Sequence, residues 1–174
     1  GVELWTVTSD DSVISVVDFS SNGEGVALAV RVPGGVKWTF VSAEGVVMRA
    51  TTFENTPLIA PITGGGWLIL DGTVLYRVTA GEQRQIGVVT PAPGRAARLT
   101  ADVVGNAYLY LGDASSTLLS MGVNGTIRWR TRYPFAPSPL APVLRTDNGC
   151  LLYALDDDGM LNLFNAATGE LIDQ

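Results

Sequence analysis

The 174-residue sequence predicts an all-β fold made of about four similar units. Short segments rich in Val, Ile, Leu, Tyr and Trp alternate with turns rich in Gly, Asn and Asp, which is typical of strands and hairpins. No segment shows sustained helical periodicity between caps. A glycine-led segment also recurs about every 42 residues. We therefore expect one domain, 1–174, with repeats over residues 6–49, 50–85, 86–129 and 130–173.

The repeat is anchored by glycines at positions 1, 45, 81, 125 and 169, in the segments "GVELW", "GVVMR", "GEQRQ", "GTIRW" and "GELID". The strands expected between them include "VISVVDF", "GVALAVRV", "WTFVS", "WLIL", "VLYRV", "NAYLYL", "TLLSM" and "CLLYAL". A period of about 42 residues with three or four strands predicts the blades of a β-propeller. The alternatives are a β-sandwich and a β-solenoid, although solenoid coils are shorter than this period.

In a propeller, each anchor glycine is expected in the turn before the outermost strand of a blade, with the next apolar residues between blades. Those residues are Leu4, Val47, Ile127 and Leu171. The two ends of the chain have the same phase of the repeat, which predicts an arc of a larger propeller. An open arc exposes the apolar faces of its end blades, so we expect self-association through them.

Three consecutive carboxylates, Asp156–Asp158, precede Gly159 and suggest a calcium loop. An EF-hand loop with Gly159 at its sixth position has Ala154 at its first and Asn165 at its twelfth, so two ligands are missing. Asp-Gly between two strand-like segments instead indicates a hairpin turn. We expect no metal site and no cofactor.

Composition excludes several functions. The net charge of −6 argues against binding to nucleic acid or to an anionic membrane surface. Histidine is absent, which removes His-based acid–base catalysis and His-ligated metals. The single cysteine, Cys150, begins the apolar run "CLLYAL" and is expected in the core. No apolar run is long enough to span a membrane.

The segment "GCLLYALDDDGMLNLFNAATGELI" resembles the repeat of PQQ-like (quinoprotein-type) propellers, with residues 165–170 matching the Thr-Gly-Glu part of that repeat. The tryptophan that docks on the next blade in this family corresponds to Trp5 and Trp129, and is replaced by Arg49, Gln85 and Asp173. The WD40 family has blades of the same length and is the second choice, but its Gly-His and Trp-Asp dipeptides are absent.

The resemblance implies the non-catalytic branch of the PQQ-like family. Quinone-dependent enzymes of that family carry a pair of adjacent cysteines, and this chain has one cysteine. We therefore expect no enzyme, and instead a protein-interaction scaffold or sensor domain of a bacterial extracytoplasmic protein, in the periplasm, at the cell surface or secreted. A propeller that binds a small carbohydrate or anion is the alternative, and a quinone-dependent enzyme fragment comes third.

The strand-like segment "TIRWRTRY" carries the candidate ligand-binding residues. Period-2 alternation places Arg128, Arg130 and Arg132 on one face, where three guanidiniums would hold an anion or an acidic peptide. The alternative is an exposed outer strand whose charges prevent edge-to-edge pairing.

The proline-rich segment "YPFAPSPLAP" has a phase-matched copy in "TPLIAP" and is expected to connect blades. Trp5 and Trp129 share the docking phase, which favours core packing over a carbohydrate platform. Trp38 and Trp67 stay open between these two roles.

Overall fold

The computed structural model describes residues 14–19, 25–42, 44–62, 66–79, 82–91, 97–111, 117–132, 144–145, 150–155 and 159–174. These residues form sixteen strands and no helix, which confirms the all-β prediction. The strands make four antiparallel sheets of four strands each. The anchors Gly1 and Gly81, together with Leu4, Trp5, Asp156–Asp158 and the proline-rich segment 133–142, lie outside the described residues.

Each sheet is a meander of consecutive strands. The first sheet contains β1 (Ile14–Phe19), β2 (Gly25–Val32), β3 (Gly35–Ser42) and β4 (Val47–Phe53). The second contains β5 (Leu58–Pro61), β6 (Trp67–Asp71), β7 (Val74–Val78) and β8 (Gln83–Val88). The third contains β9 (Arg98–Ala101), β10 (Ala107–Tyr110), β11 (Thr117–Met121) and β12 (Ile127–Arg132). The fourth contains β13 (Leu144–Arg145), β14 (Leu151–Leu155), β15 (Leu161–Asn165) and β16 (Leu171–Asp173).

The first strands of the second, third and fourth sheets lie next to one another, at the inner edge of these sheets. Strand β9 contacts both β5 and β13, so the inner strands of adjacent sheets are neighbours and β4, β8, β12 and β16 are outermost. Because the strands alternate in direction, the turns between the first and second strands and those between the third and fourth lie at one end of the molecule. We call this the anchor end, since Gly45, Gly125 and Gly169 are in its turns.

Apolar side chains fill the three spaces between adjacent sheets. Trp38, Phe40 and Trp67 pack between the first and second sheets. Leu70, Leu75, Leu109 and Leu119 are among the buried residues between the second and third, and Tyr108, Trp129 and Phe164 are among those between the third and fourth. Strands β6, β10 and β11 are buried on both faces, and the continuous apolar run "WLIL" lies in the first of them. Trp38, Trp67 and Trp129 are therefore core residues.

The three anchor glycines that the structure describes lie where they were predicted, in the turn before the outermost strand. Gly45, Gly125 and Gly169 have φ angles of 80°, 86° and 76°, a region that favours glycine. The amide nitrogens of Gly45 and Gly125 donate to carbonyl oxygens three residues earlier, at 3.0 and 2.8 Å. A β-carbon at Gly125 would overlap the carbonyl oxygen of Ile86 in the preceding sheet. The turn at Gly125 is therefore fitted closely to its neighbouring sheet.

Between the third and fourth sheets, the indole of Trp129 makes the contact that corresponds to the one between Gly125 and Ile86. Its Nε1 donates to the carbonyl oxygen of Ala166 at 3.0 Å, and its ring lies 6.0 Å from the ring of Tyr108. A β-carbon at Gly169 would approach the ring of Trp129 to 2.5 Å. The predicted docking role of Trp129 is confirmed.

The prediction that Val47, Ile127 and Leu171 pack between blades is wrong, because these side chains are 53%, 59% and 43% exposed. The pairing register of each outer strand skips one residue, the third after the anchor glycine: Met48, Arg128 and Ile172. Such a bulge turns the residues on its two sides toward opposite faces. Ile127 thus lies opposite Met121, whereas Trp129 lies opposite Ser120.

The second sheet departs from the phase of the predicted repeat. Its outer-strand bulge is at Ile86, between the pairs Leu75–Gly87 and Tyr76–Gln85. By this register Gly87, and not Gln85, corresponds to Trp129. The sheets also extend to Phe53, Val88 and Arg132, three or four residues past the predicted repeat ends, because the docking position lies inside the outer strand.

Two further expectations for the chain differ from the structure. Cys150 is exposed, since it precedes β14 and its carbonyl oxygen accepts a hydrogen bond from the amide nitrogen of Ala166 at the sheet's edge. In "TPLIAP", Thr56 and Pro57 form the connection between sheets, and Leu58–Pro61 form the inner strand β5.

Candidate functional site

The three arginines of β12 do not share one face. Arg128 is the bulge residue, and its Nη1 donates to the hydroxyl oxygen of Tyr108 at 3.2 Å and to Oγ of Ser120 at 3.3 Å. Ser120 lies opposite Trp129, so the Arg128 side chain is on the same side of the sheet as Trp129. The predicted alternation fails here because a bulge adds one residue to the strand.

Arg130 and Arg132 are exposed and lie opposite Leu119 and Thr117. Leu119 belongs to the core between the second and third sheets. These two guanidiniums therefore face the second sheet, whereas Arg128 faces the fourth. Ligand binding by the three arginines stays a prediction, but a single cluster of all three is not formed.

Arg128 covers a buried polar network on the third sheet. The carboxylate of Asp102, 4% exposed, accepts hydrogen bonds from the amide nitrogens of Val104 and Asn106 at 3.0 and 2.8 Å. It also accepts from Nδ2 of Asn106 at 2.6 Å and from the hydroxyl of Tyr108 at 3.2 Å. Burial raises the pKa of Tyr108, against the opposing effect of its hydrogen bond from Arg128. This network closes the β9–β10 turn and holds the Arg128 side chain in place.

Two adjacent grooves lie at the end opposite the anchor end. One, of about 390 Å³, is bordered by Arg31, Glu54, Asn55 and Thr56. The other, of about 360 Å³, shares Asn55 and Thr56 and extends to Arg98. Nearby at the end of β6, burial and then the charge of Glu54 raise the pKa of Asp71. Both grooves are open to solvent. Their charged side chains are positive at Arg31 and Arg98 and negative at Glu54.

A smaller cavity lies at the anchor end of the second sheet, along the β7–β8 hairpin. Its volume is about 170 Å³, and it is lined by Arg77, Thr79, Glu82 and Arg84. Arg77 and Arg84 are direct cross-strand partners in β7 and β8. Residue-type patterns missed this pair because the two arginines are seven positions apart, and only the hairpin register brings them together.

No protein-family model matches the chain, and no curated protein matches its sequence. Solved structures do match its fold. BamB from Moraxella catarrhalis superposes with a TM-score of 0.63 at 13% identity, covering 91% of this chain and 47% of that chain. A chain of the mitotic checkpoint complex gives a TM-score of 0.61 at 12% identity, with 95% and 54% covered. The fold is a β-propeller.

The computationally designed protein Ika4 gives a TM-score of 0.63 at 14% identity, covering 95% of this chain and 98% of that chain. This propeller thus spans about half the length of BamB and of the checkpoint-complex chain, and almost all of Ika4. At these identities the likeness shows the propeller fold alone. The four sheets are its blades, numbered here in chain order.

Exposed aliphatic side chains are concentrated at the anchor end of the propeller. Of ten large apolar side chains that are exposed among the described residues, seven lie there: Val46, Val47, Val103, Val104, Ile127, Leu171 and Ile172. They come from the turns and outer-strand starts of the first, third and fourth blades. The other three, Val88, Met160 and Leu161, lie toward the opposite end.

The outward face of the fourth blade is also apolar. Leu152, Ala154 and Phe164 face the third blade, so the alternate residues of β14 and β15 face away from it: Leu151, Tyr153, Leu155, Leu161 and Leu163. Leu161 is 44% exposed, and the other four are partly exposed.

The described residues contain no helix with the length and hydropathy needed to cross a bilayer. Within the same residues, no group of three or more Asp, Glu or Cys side chains is placed to hold a metal ion.

Proposed function

We propose that this chain is a non-catalytic β-propeller that binds a protein partner through its anchor end. The observation that carries the proposal is the concentration of seven exposed aliphatic side chains at that end. Aliphatic side chains left in water lose the free energy that burial would give, about 25 cal/mol per Å². Apolar surface rimmed by polar residues is typical of a protein-binding site.

The position of these residues in the repeat supports the same conclusion. Val47, Ile127 and Leu171 each stand two residues after an anchor glycine, and all three are exposed. The bulge that follows them turns the docking position inward and leaves them at the rim. Three blades therefore present an aliphatic side chain at one equivalent place, which suits a partner that lies across several blades.

The finer role that we propose is a scaffold or sensor domain of a bacterial extracytoplasmic protein. Its support is the resemblance of residues 147–172 to the PQQ-like repeat. The propeller fold shared with a chain of the mitotic checkpoint complex is consistent with a role in an assembly. The absence of histidine from the sequence and the single cysteine favour a non-catalytic module.

A comparison of variants tests the proposal. The wild-type chain and a Val104→Lys/Ile127→Lys variant are immobilised and exposed to the same extract, with Val88→Lys as a charge-matched control at the opposite end. We expect a saturable protein partner that the control retains and the anchor-end variant loses. Retention of every bound protein by the anchor-end variant would contradict the proposal.

A further inference from the structure

We propose that the cavity between Arg77 and Arg84 receives a carboxylate group of the binding partner. The inference rests on the proposed function, since it names the chemistry of the group that the anchor end recognises. Arg77 in β7 and Arg84 in β8 are directly opposite each other, so their side chains leave the same face of the blade.

Two guanidiniums in this arrangement repel each other, because like charges directly opposite each other in a sheet are unfavourable, and Glu82 beside them offsets only one of the two charges. A charge of opposite sign between them removes that cost. The cavity that the two arginines line with Thr79 and Glu82 is the space where such a charge would lie.

Arg77 is held toward the cavity by the third blade. Its Cζ lies 3.4 Å from the place a β-carbon would occupy on Gly105, in the β9–β10 turn. Its Nε is buried and has no hydrogen-bond partner. A buried donor without a partner costs about 1–3 kcal/mol, so this guanidinium has hydrogen-bonding capacity that the folded chain leaves unused.

Arg84 is fixed in a complementary way. Its Nη2 donates to the carbonyl oxygen of Val123 at 2.8 Å, in the β11–β12 turn of the third blade. That bond uses one of the five donor hydrogens of the guanidinium and leaves the others available. Both arginines are thus oriented by the neighbouring blade before any ligand arrives, which lowers the entropic cost of binding.

The charge of the cavity favours a monoanion. Arg77 and Arg84 contribute two positive charges, and Glu82 contributes one negative charge. A single carboxylate would neutralise the remainder, whereas a dianion would exceed it. The volume of about 170 Å³ equals the share of about five or six water molecules in the liquid, which is ample for one carboxylate.

The surroundings indicate that the carboxylate belongs to a protein. Val103 and Val104, 40% and 58% exposed, precede Gly105 in the turn that borders Arg77. A glutamate flanked by valines would place its carboxylate in the cavity and its neighbours on these two side chains. A free carboxylate ion has the same charge but lacks those apolar contacts.

Titration of the full chain by NMR tests the inference, with the Arg77 Nε–H resonance as the probe. The ligands are acetate and the capped peptides Val-Glu-Val and Val-Gln-Val, at constant ionic strength. We expect a saturable shift with acetate and with Val-Glu-Val, tighter binding of Val-Glu-Val, and no saturable shift with Val-Gln-Val. Equal affinity for acetate and Val-Glu-Val would overturn the protein source of the carboxylate.

The Arg84→Gln variant keeps the Arg77 Nε–H resonance. It is expected to lower the affinity for Val-Glu-Val at least about tenfold, which corresponds to the loss of one charge-assisted hydrogen bond. Lys37→Gln, which removes an equal charge from an exposed position on the first blade, should bind as the wild type does. Undiminished affinity in Arg84→Gln, or no saturable shift with either carboxylate, would overturn the inference. A partner that is still captured in that case leaves the proposed function standing.

Discussion

Gly125 has no space for a side chain. Its φ angle of 86° is unfavourable for other residues, and its turn lies against the Ile86 carbonyl group. Gly159 has a similar φ of 80° but no atom within 4 Å of a built β-carbon. The two glycines therefore separate the cost of the backbone conformation from the cost of contact between blades.

Gly125→Ala is expected to destabilise the fold by about 2 kcal/mol more than Gly159→Ala. Both variants have the strain of a non-glycine residue at positive φ, about 1–3 kcal/mol, but only Gly125→Ala also crowds the neighbouring blade. Urea midpoints of the two variants measure the difference. Equal midpoints would show that the contact with Ile86 does not constrain this turn.

The carboxyl group of Asp71 gives a pH-dependent prediction. Because burial and the charge of Glu54 raise its pKa, the folded chain binds this proton more tightly than the unfolded chain does. The ionised group thus destabilises the fold at neutral pH, and this penalty disappears as pH falls below the unfolded pKa. Asp71→Asn is expected to raise the urea midpoint at pH 7 and to leave it unchanged near pH 3.

Glu44→Gln is the control, because the pKa of Glu44 is shifted in the opposite direction from that of Asp71. A hydrogen bond with Ser42 lowers this pKa. The urea midpoint of Glu44→Gln should not rise at pH 7. A gain for Asp71→Asn that persists at pH 3 would show that the effect is not ionisation.

The outer strand contributes to the contact between blades through the residues around its bulge. In the first, third and fourth blades, its bulge follows the anchor glycine at the same distance, and in the third it sets Trp129 beneath Gly169. The second blade has its bulge at Ile86 and a glycine at the docking position. There the thioether of Met121 lies close to Gly87 and occupies the space.

Trp129 and Gly169 are expected to be strongly coupled in a double-mutant cycle. Trp129→Ala alone removes a large buried ring and should cost about 3–5 kcal/mol. Gly169→Ala alone is strained by its φ angle and crowds the indole. In the Trp129→Ala background the crowding is absent, so the second substitution should cost at least about 1 kcal/mol less. Additive changes in unfolding free energy would contradict the contact.

Strand content and anchor glycines could be predicted from the sequence because they depend on local residue preference. The "GTIRW" segment begins an outer strand, and Trp129 docks on the next blade, as predicted. The bulge at Arg128 could not be predicted, because one unpaired residue leaves no mark on composition. Because the prediction from the sequence did not include this bulge, it placed Ile127 in the core and all three arginines on one face of the strand.

The Arg77–Arg84 pair shows the same limit at a site. Each arginine alone is an ordinary strand residue in "VLYRV" or "GEQRQ". Their meeting depends on hairpin register, and the orientation of their side chains depends on contacts with the third blade. Sequence patterns within one segment carry neither kind of information.

At the scale of the whole molecule, the fourth blade has one face in the core and one apolar face turned outward. Five large side chains on that face make a patch on the order of a few hundred Å², comparable to the largest patches on soluble monomers. Self-association through an exposed apolar face of an end blade was predicted from the sequence, and this face is such a surface.

The isolated chain is expected to associate with increasing concentration, and Leu161→Lys/Leu163→Lys should reduce that association. Desolvating two ammonium groups in an apolar contact is costly. Light scattering over a hundredfold concentration range measures the apparent mass, with Val88→Lys as a control away from this face. A wild-type chain that stays monomeric throughout would contradict the prediction.

The contacts made by Gly125 and Gly169 also have a direction along the chain. In both, a turn of the later blade rests on the outer strand of the blade before it: Gly125 on Ile86, and Gly169 on Trp129. The ribosome synthesises the outer strand of the earlier blade first. This strand is therefore already present when the turn that packs against it is synthesised. Folding can therefore proceed blade by blade behind the ribosome, and a defect in an early outer strand would affect the blade that follows.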